Sequence, residues 1–405
     1  MIPGQDIVIL EGARTPVGSF LGRLSSLSAT ELGAAAARAA IERSAVDSAT
    51  IDAIAFGNVL QTSKDAVYLA RHVGLDAGAP IEAPAVVVNT ACGSGIEALT
   101  HAGRALALGE ATMVLAGGAE NMSMAPYAMR GVRTGWKMIK SDVDDTLFSA
   151  LYDPKAGCAI GETVEHLARE RGVSRRAADE AAAAGQKRAA AAQERGIYAE
   201  EIAPVTIPSR RGEIRVDTDE SPRPETTLEG LAALPGLFER DGVVTAGNSC
   251  GLNDAAAAVV MTTGEVAAAR GLTPLGRVVS WASVGVEPVL MGLGPVQACR
   301  RALERAELSF DDIDLIELND SFTVQYLAIR DELGVDDDRV NVNGGAIALG
   351  HPMAATGTRL VLSALYELRR RGGRYALCTV CIGGGQGIAV VIERPDPNKP
   401  RRRSA

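Results

Sequence analysis

Residues 85–95 read Ala-Val-Val-Val-Asn-Thr-Ala-Cys-Gly-Ser-Gly, and residues 96–108 continue Ile-Glu-Ala-Leu-Thr-His-Ala-Gly-Arg-Ala-Leu-Ala-Leu. The β-branched run 85–89 predicts a fully buried strand, and the Ala- and Leu-rich run 95–108 predicts a helix. Cys92 falls at the turn between them. Working outward, residues 113–116 read as another buried strand and residues 51–56 (IDAIAF) alternate like one. Residues 30–44 form an Ala-rich helical stretch, and residues 7–10 a short β-branched run. Strands alternating with helices argue for an α/β fold.

The C-terminal part repeats this pattern at one constant spacing. Arg38, Ala40, Ile41, Glu42 and Arg43 meet Arg300, Ala302, Leu303, Glu304 and Arg305, 262 positions later. At the same spacing Ile51, Asp52 and Ile54 meet Ile313, Asp314 and Ile316, and Asn58 meets Asp320. Ser94, Gly95, Ala102 and Leu106 meet Thr356, Gly357, Ala364 and Leu368. One offset held over such a length points to duplication. A duplicated unit packs its copies about a pseudo-twofold axis, with a site where equivalent elements meet.

Between the copies lies a different region, with loop-like stretches and a polar Ala-rich helix over 174–195. Ser174 is its expected N-cap and Gly196 its stop. A basic stretch at 208–215 (PSRRGEIR) follows. Such insertions supply lids or ligand-binding loops. The strand and helix expected over 255–270 complete the first half. The expected division is a first half of residues 1–120 plus 242–272, an inserted loop or lid domain of 121–241, a second half of 273–395, and a frayed tail of 396–405.

Composition excludes several classes. The 405 residues carry 41 Lys+Arg against 50 Asp+Glu, a net charge of −9, which disfavours nucleic acid as a partner. A hydrophobic content of 47% argues against disorder. No apolar run reaches the ~20 residues of a membrane helix, and the N-terminus lacks a basic region ahead of a long apolar one. Six cysteines are too few for a disulfide scaffold. A cytoplasmic protein with free thiols is expected, each a core filler, a metal ligand or a nucleophile.

Four residues stand out. Cys92 sits at or just before a helix N-terminus, where free N–H groups and the dipole favour a thiolate. The Gly-Ser-Gly of 93–95 permits a tight turn with close backbone approach. The alternative is a small buried hydrophobe. His351 follows NVNGGAIALG (341–350), whose glycines indicate irregular backbone near a ligand. It falls close to the second-half counterpart of the Cys92 turn. It can lower a thiol pKa or hold an oxyanion, or be a satisfied structural histidine. Cys378 and Cys381 form a CxxC. Zinc needs four ligands and no second pair exists; a dithiol centre belongs at a helix start. A third reading places Cys378 inside a strand and Cys381 at its end, before the turn IGGGQG (382–387), whose N–H groups can bind an oxyanion. By the period of two, the two thiols then face opposite sides. Asn319, in NDSF after the strand-like IDLIEL, can orient water or donate to a carbonyl, or simply form a turn.

Cys92 in NTACGSG, Asn319 in NDSF, His351 in NVNGGAIALGHP and Cys381 in CIGGGQG occur in this order along nearly the whole chain. Together they resemble the thiolase family, as do TAGNSCGLNDAAAA (245–258) and GAEN (118–121). The resemblance implies a five-layered αβαβα fold of two similar halves plus a loop domain, assembled as a homodimer or homotetramer. It implies reversible Claisen chemistry on coenzyme A thioesters, with acyl-CoA and coenzyme A as substrates and neither cofactor nor metal. Carried over by motif, Cys92 takes the acyl group. His351 stabilises its thiolate and, with a water held by Asn319, the thioester or enolate oxygen. Cys381 moves the α-proton of acetyl-CoA. The N–H groups of Cys92 and Gly383 form a second oxyanion hole. Arg223, Phe238, Ala246 and Cys250 match positions toward coenzyme A; Met291, Leu151, Ile160 and Phe322 match positions toward the acyl group.

The departures bear on the substrate. Thiolases specific for acetoacetyl-CoA usually carry His-Met-Gly in the lid, where Ala159, Ile160 and Gly161 stand here. The usual Ser of the GNASG block is Cys250, NEAF is NDSF, and HPIGASG is HPMAATG. A lost lid His enlarges or depolarises the acyl pocket, so acyl chains beyond acetoacetyl, as in 3-ketoacyl-CoA or 3-oxoadipyl-CoA thiolases, are expected. A ketosynthase (Cys-His-His) or a hydroxymethylglutaryl-CoA synthase (Cys-Glu-His) is disfavoured by Cys381. From another class, a non-catalytic thiolase-fold protein that binds coenzyme A esters stands as an alternative.

Overall fold

The structure, a computed structural model, describes residues 6–135, 143–209 and 212–395. Nine strands build its main sheet: β1 (Ile7–Arg14), β2 (Ala53–Gly57), β3 (Ala85–Val88), β4 (Met113–Asn121), β5 (Asn253–Thr263), β6 (Gly276–Gly285), β7 (Leu315–Leu318), β8 (Tyr375–Ile382) and β9 (Gln386–Glu393). Their order is β7-β8-β9-β6-β1-β5-β4-β2-β3, with the short strand Gly18–Ser19 alongside β5. Eight helices matter for the site: α1 (Ala29–Arg43), α2 (Leu69–Asp76), α3 (Ser94–Ala107), α4 (Ile160–Arg171), α5 (Arg175–Glu194), α6 (Gly294–Ala306), α7 (Thr323–Leu333) and α8 (Met353–Arg371).

The offset found in the sequence returns as an offset in hydrogen bonding. Ala53 of β2 pairs with Val114 of β4 in parallel, and Leu315 of β7 pairs with Ala376 of β8 in the same sense. The Asp52 carboxylate accepts from the N–H groups of Thr112 and Met113; Asp314 accepts from Arg374 and Tyr375. Antiparallel pairs then repeat on each side, β4 with β5 and β5 with β1, β8 with β9 and β9 with β6. The two flanks join where Ile7, Val8 and Ile9 face Val278, Arg277 and Gly276.

Helices α3 and α8 pack on strands from both flanks, from β4 to β7. A flat sheet would hold those strands roughly 30 Å apart, so the sheet folds around the two helices. Their shared core joins Ile96, Leu99 and Leu106 of α3 to Leu360, Leu365 and Leu368 of α8, and both to Val114, Val390 and Ile392. Outside, α1 and α2 cover the first flank while α6 and α7 cover the second. This is the five-layered αβαβα arrangement. The central helices cross at equivalent glycines. A Cβ on Gly95 would lie 3.0 Å from the Gly357 nitrogen, and one on Gly357 would lie 3.1 Å from the Gly95 carbonyl carbon. Neither position has room for a side chain.

Local signals explain the element ends. Ser28 and Glu31 form a capping box at the start of α1. Ser174 accepts from the Ala177 N–H to start α5, and Gly196 follows its end in the left-handed region. One expectation fails. The run at 85–89 is only half-buried, because β3 ends the sheet and pairs with β2 alone. An unbroken apolar run fits burial on both faces but does not reveal a position at a sheet edge.

The inserted segment is fastened to β1 by Arg14, which is buried and held at 2.8 Å by Glu201 and at 2.7 and 2.9 Å by Asp219. The basic stretch forms a hairpin of Val205–Ser209 and Gly212–Val216. Arg210, Arg211 and the tail at 396–405 lie outside the described residues. Among the described residues no helix is long and apolar enough to cross a membrane.

Candidate active site

The turn before α3 is strained at one residue. Ala91 takes φ +46°, a left-handed conformation that costs a residue with a Cβ about 1–2 kcal/mol. Side chains on either side hold it there. The Asn89 side-chain oxygen accepts from the Ala91 N–H at 3.0 Å. The Ser94 hydroxyl accepts from the Thr90 N–H at 2.9 Å and donates to the Ala91 carbonyl at 2.6 Å. The glycines serve approach rather than turning. Gly93 has an ordinary φ of −79°, but a Cβ there would lie 2.4 Å from Ile382 at the end of β8. The turn can therefore press against β8.

That contact brings the cysteines of the two halves together. Cys381, three residues after Cys378 on β8, points to the opposite face, as the strand period requires. Cys378 packs in the central core with its S–H toward the Leu360 carbonyl at 3.7 Å. Cys381 joins a separate apolar cluster with Met291, Ile160 and Phe322. The backbone N–H groups of Gly383 and of Cys92 itself favour a charge on the Cys92 sulfur, and Cys381 opposes it. On its other side Cys92 packs with Leu147, Met353 and Leu252.

The thiolate expected from the helix terminus is not what the site favours. Burial pushes the Cys92 thiol up to about 12, with Cys381 adding to the rise and the two N–H groups offsetting only part of it. Burial likewise raises Cys381 to about 11, with Ser321 and Gln325 opposing. A charge removed from water costs more than one helix end returns.

His351 is placed by a residue that leaves no freedom. Gly350 has φ +94°, and a Cβ there would lie 2.2 Å from the Asn253 side-chain oxygen, the atom that accepts the His351 N–H at 3.0 Å. The ring's Nδ1 lies 2.7 Å from the Thr356 hydroxyl. Its Nε2 lies 3.5 Å from the Asn319 amide nitrogen. Burial, then Arg359, pushes the imidazole down to about 3, so it is neutral at physiological pH. Nε2 can then donate into the site only if the Thr356 hydroxyl donates to Nδ1. The Asn319 amide donates to the Ser321 hydroxyl at 2.7 Å, and Ser321 Oγ lies 3.9 Å from Cys381 Sγ. Among the described residues the buried Asn319 Oδ1 has no partner. Cys92, Gly383, Cys381, Asn319 and His351 thus form one connected group.

A cleft of about 510 Å³ leads toward this group. Arg223 and Ala246 line it, as do Leu252, which touches the Cys92 cluster, and Asn253, which holds His351. Cys250 lies between the lining residues Ser249 and Gly251; its N–H donates to the Ser321 carbonyl at 2.8 Å. Burial raises its thiol pKa, with Cys92 and Asp320 adding. Arg223 lines the cleft together with Glu220 and Glu225, and Arg215 lies on the hairpin, paired with Asp217 at 3.2 Å. Phe238 is not on the cleft wall; its ring fills the space over Gly161, where a Cβ would lie 2.0 Å away. Leu151 borders the lid, its carbonyl accepting the Ile160 N–H at 2.9 Å.

Several site residues passed unrecognised in the sequence. Ser321 and Thr356 lie inside quoted motifs but read only as departures. Asn253 sits in the GLND of the 245–258 block and Gln325 one turn into α7, neither with a distinguishing pattern. Burial is the signal that marks them, at 5% exposure or less.

The comparisons agree with this architecture. A family model described as Thiolase, N-terminal domain, matches residues 7–265, and one described as Thiolase, C-terminal domain, matches residues 272–394. The chain is 47% identical to an acetyl-CoA acetyltransferase of Pseudomonas aeruginosa, over 96% of this chain and 100% of that one. It is 44% identical to the human mitochondrial 3-ketoacyl-CoA thiolase, over 96% and 98% respectively. A crystal structure of human mitochondrial 3-ketoacyl-CoA thiolase in complex with CoA superposes with a TM-score of 0.94 at 43% identity, covering 96% of this chain and 98% of that one. The chain belongs to the thiolase family and is an acyltransferase.

Proposed function

We propose that the chain catalyses reversible condensation and thiolysis of coenzyme A thioesters through an acyl group on Cys92. The observation that carries this reading is the convergence of two thiols from the two halves, where Gly93 next to Cys92 presses against Ile382 next to Cys381. The Cys92 thiol adds to an acyl-CoA carbonyl, and its proton leaves with the coenzyme A sulfur. Cys381, as thiolate, takes a proton from the acetyl-CoA α-carbon. That carbon bonds to the acyl carbonyl, the bond to Cys92 breaks, and the proton on Cys381 returns to the Cys92 sulfur. The N–H groups of Gly383 and Cys92 receive one oxyanion; His351 and Asn319 receive the other. Each such donor contributes about 2.7–4 kcal/mol. Coenzyme A enters as substrate along the Arg223 and Ala246 cleft, and no cofactor is invoked. The human relative solved in complex with CoA supports coenzyme A as a ligand.

Incubation with radiolabelled acetyl-CoA, followed by peptide mapping, tests the reading. Label is expected on Cys92 alone and absent from Cys92→Ala; label retained in that variant overturns the assignment. We also propose acyl chains longer than acetoacetyl, because Ala159 replaces the lid His. Thiolysis efficiency compared across chain lengths decides this, and strict preference for the four-carbon ester overturns it. We further propose a homodimer or homotetramer, located in the cytoplasm, with the division into halves and insert given above. The half-buried edge strand β3, beside exposed Tyr68 and Ile81, supports assembly, and the free state of all six thiols supports the location.

A further inference from the structure

The Ser321 hydroxyl lies between two groups that the proposed reaction uses separately. Its oxygen receives the Asn319 amide hydrogen at 2.7 Å, which leaves its own proton free, and the Cys381 sulfur lies 3.9 Å away. The side chain is buried at 5% exposure, so water does not compete for that proton. Its carbonyl meanwhile holds the Cys250 N–H at 2.8 Å, which fixes the backbone on which the hydroxyl is carried. Where the family pattern reads NEAF, this position is an alanine and has no hydroxyl to offer.

We propose that Ser321 is a positioning residue that donates its hydroxyl proton to the Cys381 thiolate while accepting from Asn319, and so couples the base to the oxyanion pair. This rests on the reading of Cys381 as the base. A hydrogen bond to the charged form favours that form, so the hydroxyl lowers the Cys381 pKa, and Ser321 is the foremost group opposing the effect of burial there. The other groups around Cys381 are accounted for. Gln325 on α7 acts in the same direction. Burial keeps Cys92 before α3 and Cys250 before β5 protonated, and His351 is neutral. Asp320 is engaged with the Ala346 N–H, and Glu165 on α4 with the Val243 and Val244 N–H groups.

The test is the pH dependence of Cys381 alkylation by iodoacetamide in the full chain, read by peptide mass spectrometry in a Cys92→Ser background. Ser321→Ala is expected to move the Cys381 curve upward by about one pH unit, a tenfold loss of labelling at fixed pH below the midpoint. Ser321→Thr restores it, and the Cys250 curve stays in place. Cys381 curves that superimpose with and without the Ser321→Ala substitution overturn the proposal, as does a Ser321→Thr variant that behaves like Ser321→Ala. If Ser321→Ala does not fold, Ser321→Cys, similar in size and a poorer donor, must shift the curve in the same direction. Deuterium exchange at the acetyl-CoA α-carbon separates the two layers. A shifted Cys381 curve with unchanged exchange keeps the Ser321 bridge and overturns Cys381 as the base.

Discussion

The end of β2 and the end of β7 occupy equivalent places in the two halves, and they carry opposite residues. Gly57 closes β2, where a Cβ would lie 2.8 Å from the Ser94 Cβ. Asn319 follows β7 with a full side chain, turned toward His351 and Ser321. The helix starts differ in the same complementary way. In the first half a regular strand, β3, feeds a pinned turn that presents Cys92. In the second half a lone bridge of Val340 to Ile316, with Asn341 bonding beside it, stands against β7, and irregular backbone with three glycines delivers His351. Each half has given up a different part of the common unit. The first keeps the strand and empties the strand end; the second fills the strand end and loses the strand.

Exchanging these parts gives the largest effect. Asn319→Gly, which copies the first half, is expected to lower kcat by about 10²–10³ with little change in thermal unfolding. Gly57→Ala, placing a side chain in the corresponding position, is expected to lower stability by about 1–3 kcal/mol through overpacking and to act on activity only through the folded fraction. Steady-state kinetics beside thermal melts distinguish these outcomes, and a purely structural loss in Asn319→Gly removes the functional half of the contrast.

The helix crossing tests whether the halves are also alike. Gly95→Ala and Gly357→Ala are each expected to cost about 1–3 kcal/mol, because each Cβ meets the opposite helix backbone. Melts showing one variant harmless would break the symmetry inferred from the packing.

The smallest effect concerns Glu317 on β7, whose counterpart in β2 is Ala55. Burial raises the Glu317 carboxyl to about 8, only partly offset by Arg359. Above the ordinary value of 4.5 the unfolded chain releases this proton while the folded chain retains it, so stability falls as pH rises toward 8. Glu317→Gln removes that slope. Its stability relative to the unaltered chain should rise by about 1 kcal/mol from pH 6 to pH 7, read as a change in melting-temperature difference. A difference that stays constant or moves in favour of the unaltered chain contradicts the assignment.

Much of this was legible in residue patterns. The spacing that matched Gly95 to Gly357 located the crossing, and the motif cysteines marked where the halves meet. What stayed hidden depends on geometry that no local pattern encodes. Strand order decides that β3 is an edge, so its apolar run misled. Ala91, with no glycine to announce it, takes the left-handed torsion because Asn89 and Ser94 hold it. The thiol state at Cys92 follows from its surroundings, apolar side chains on two sides and a second thiol, which outweigh the visible cue of a helix start. Ser321 looks like any turn serine until Cys381, on a distant strand, comes to lie beside it. Phe238 fits a ligand-facing position by motif, yet it packs against a glycine.

The short junction between β1 and β6 carries a consequence for biosynthesis. Ile7 leaves the ribosome about 250 residues ahead of its two strand partners, Thr263 and Val278. At 5–20 residues per second, β1 waits on the order of tens of seconds with both edges unpaired. Over that interval both edges present unpaired N–H and C=O groups, the feature that leads strand edges to pair with other chains.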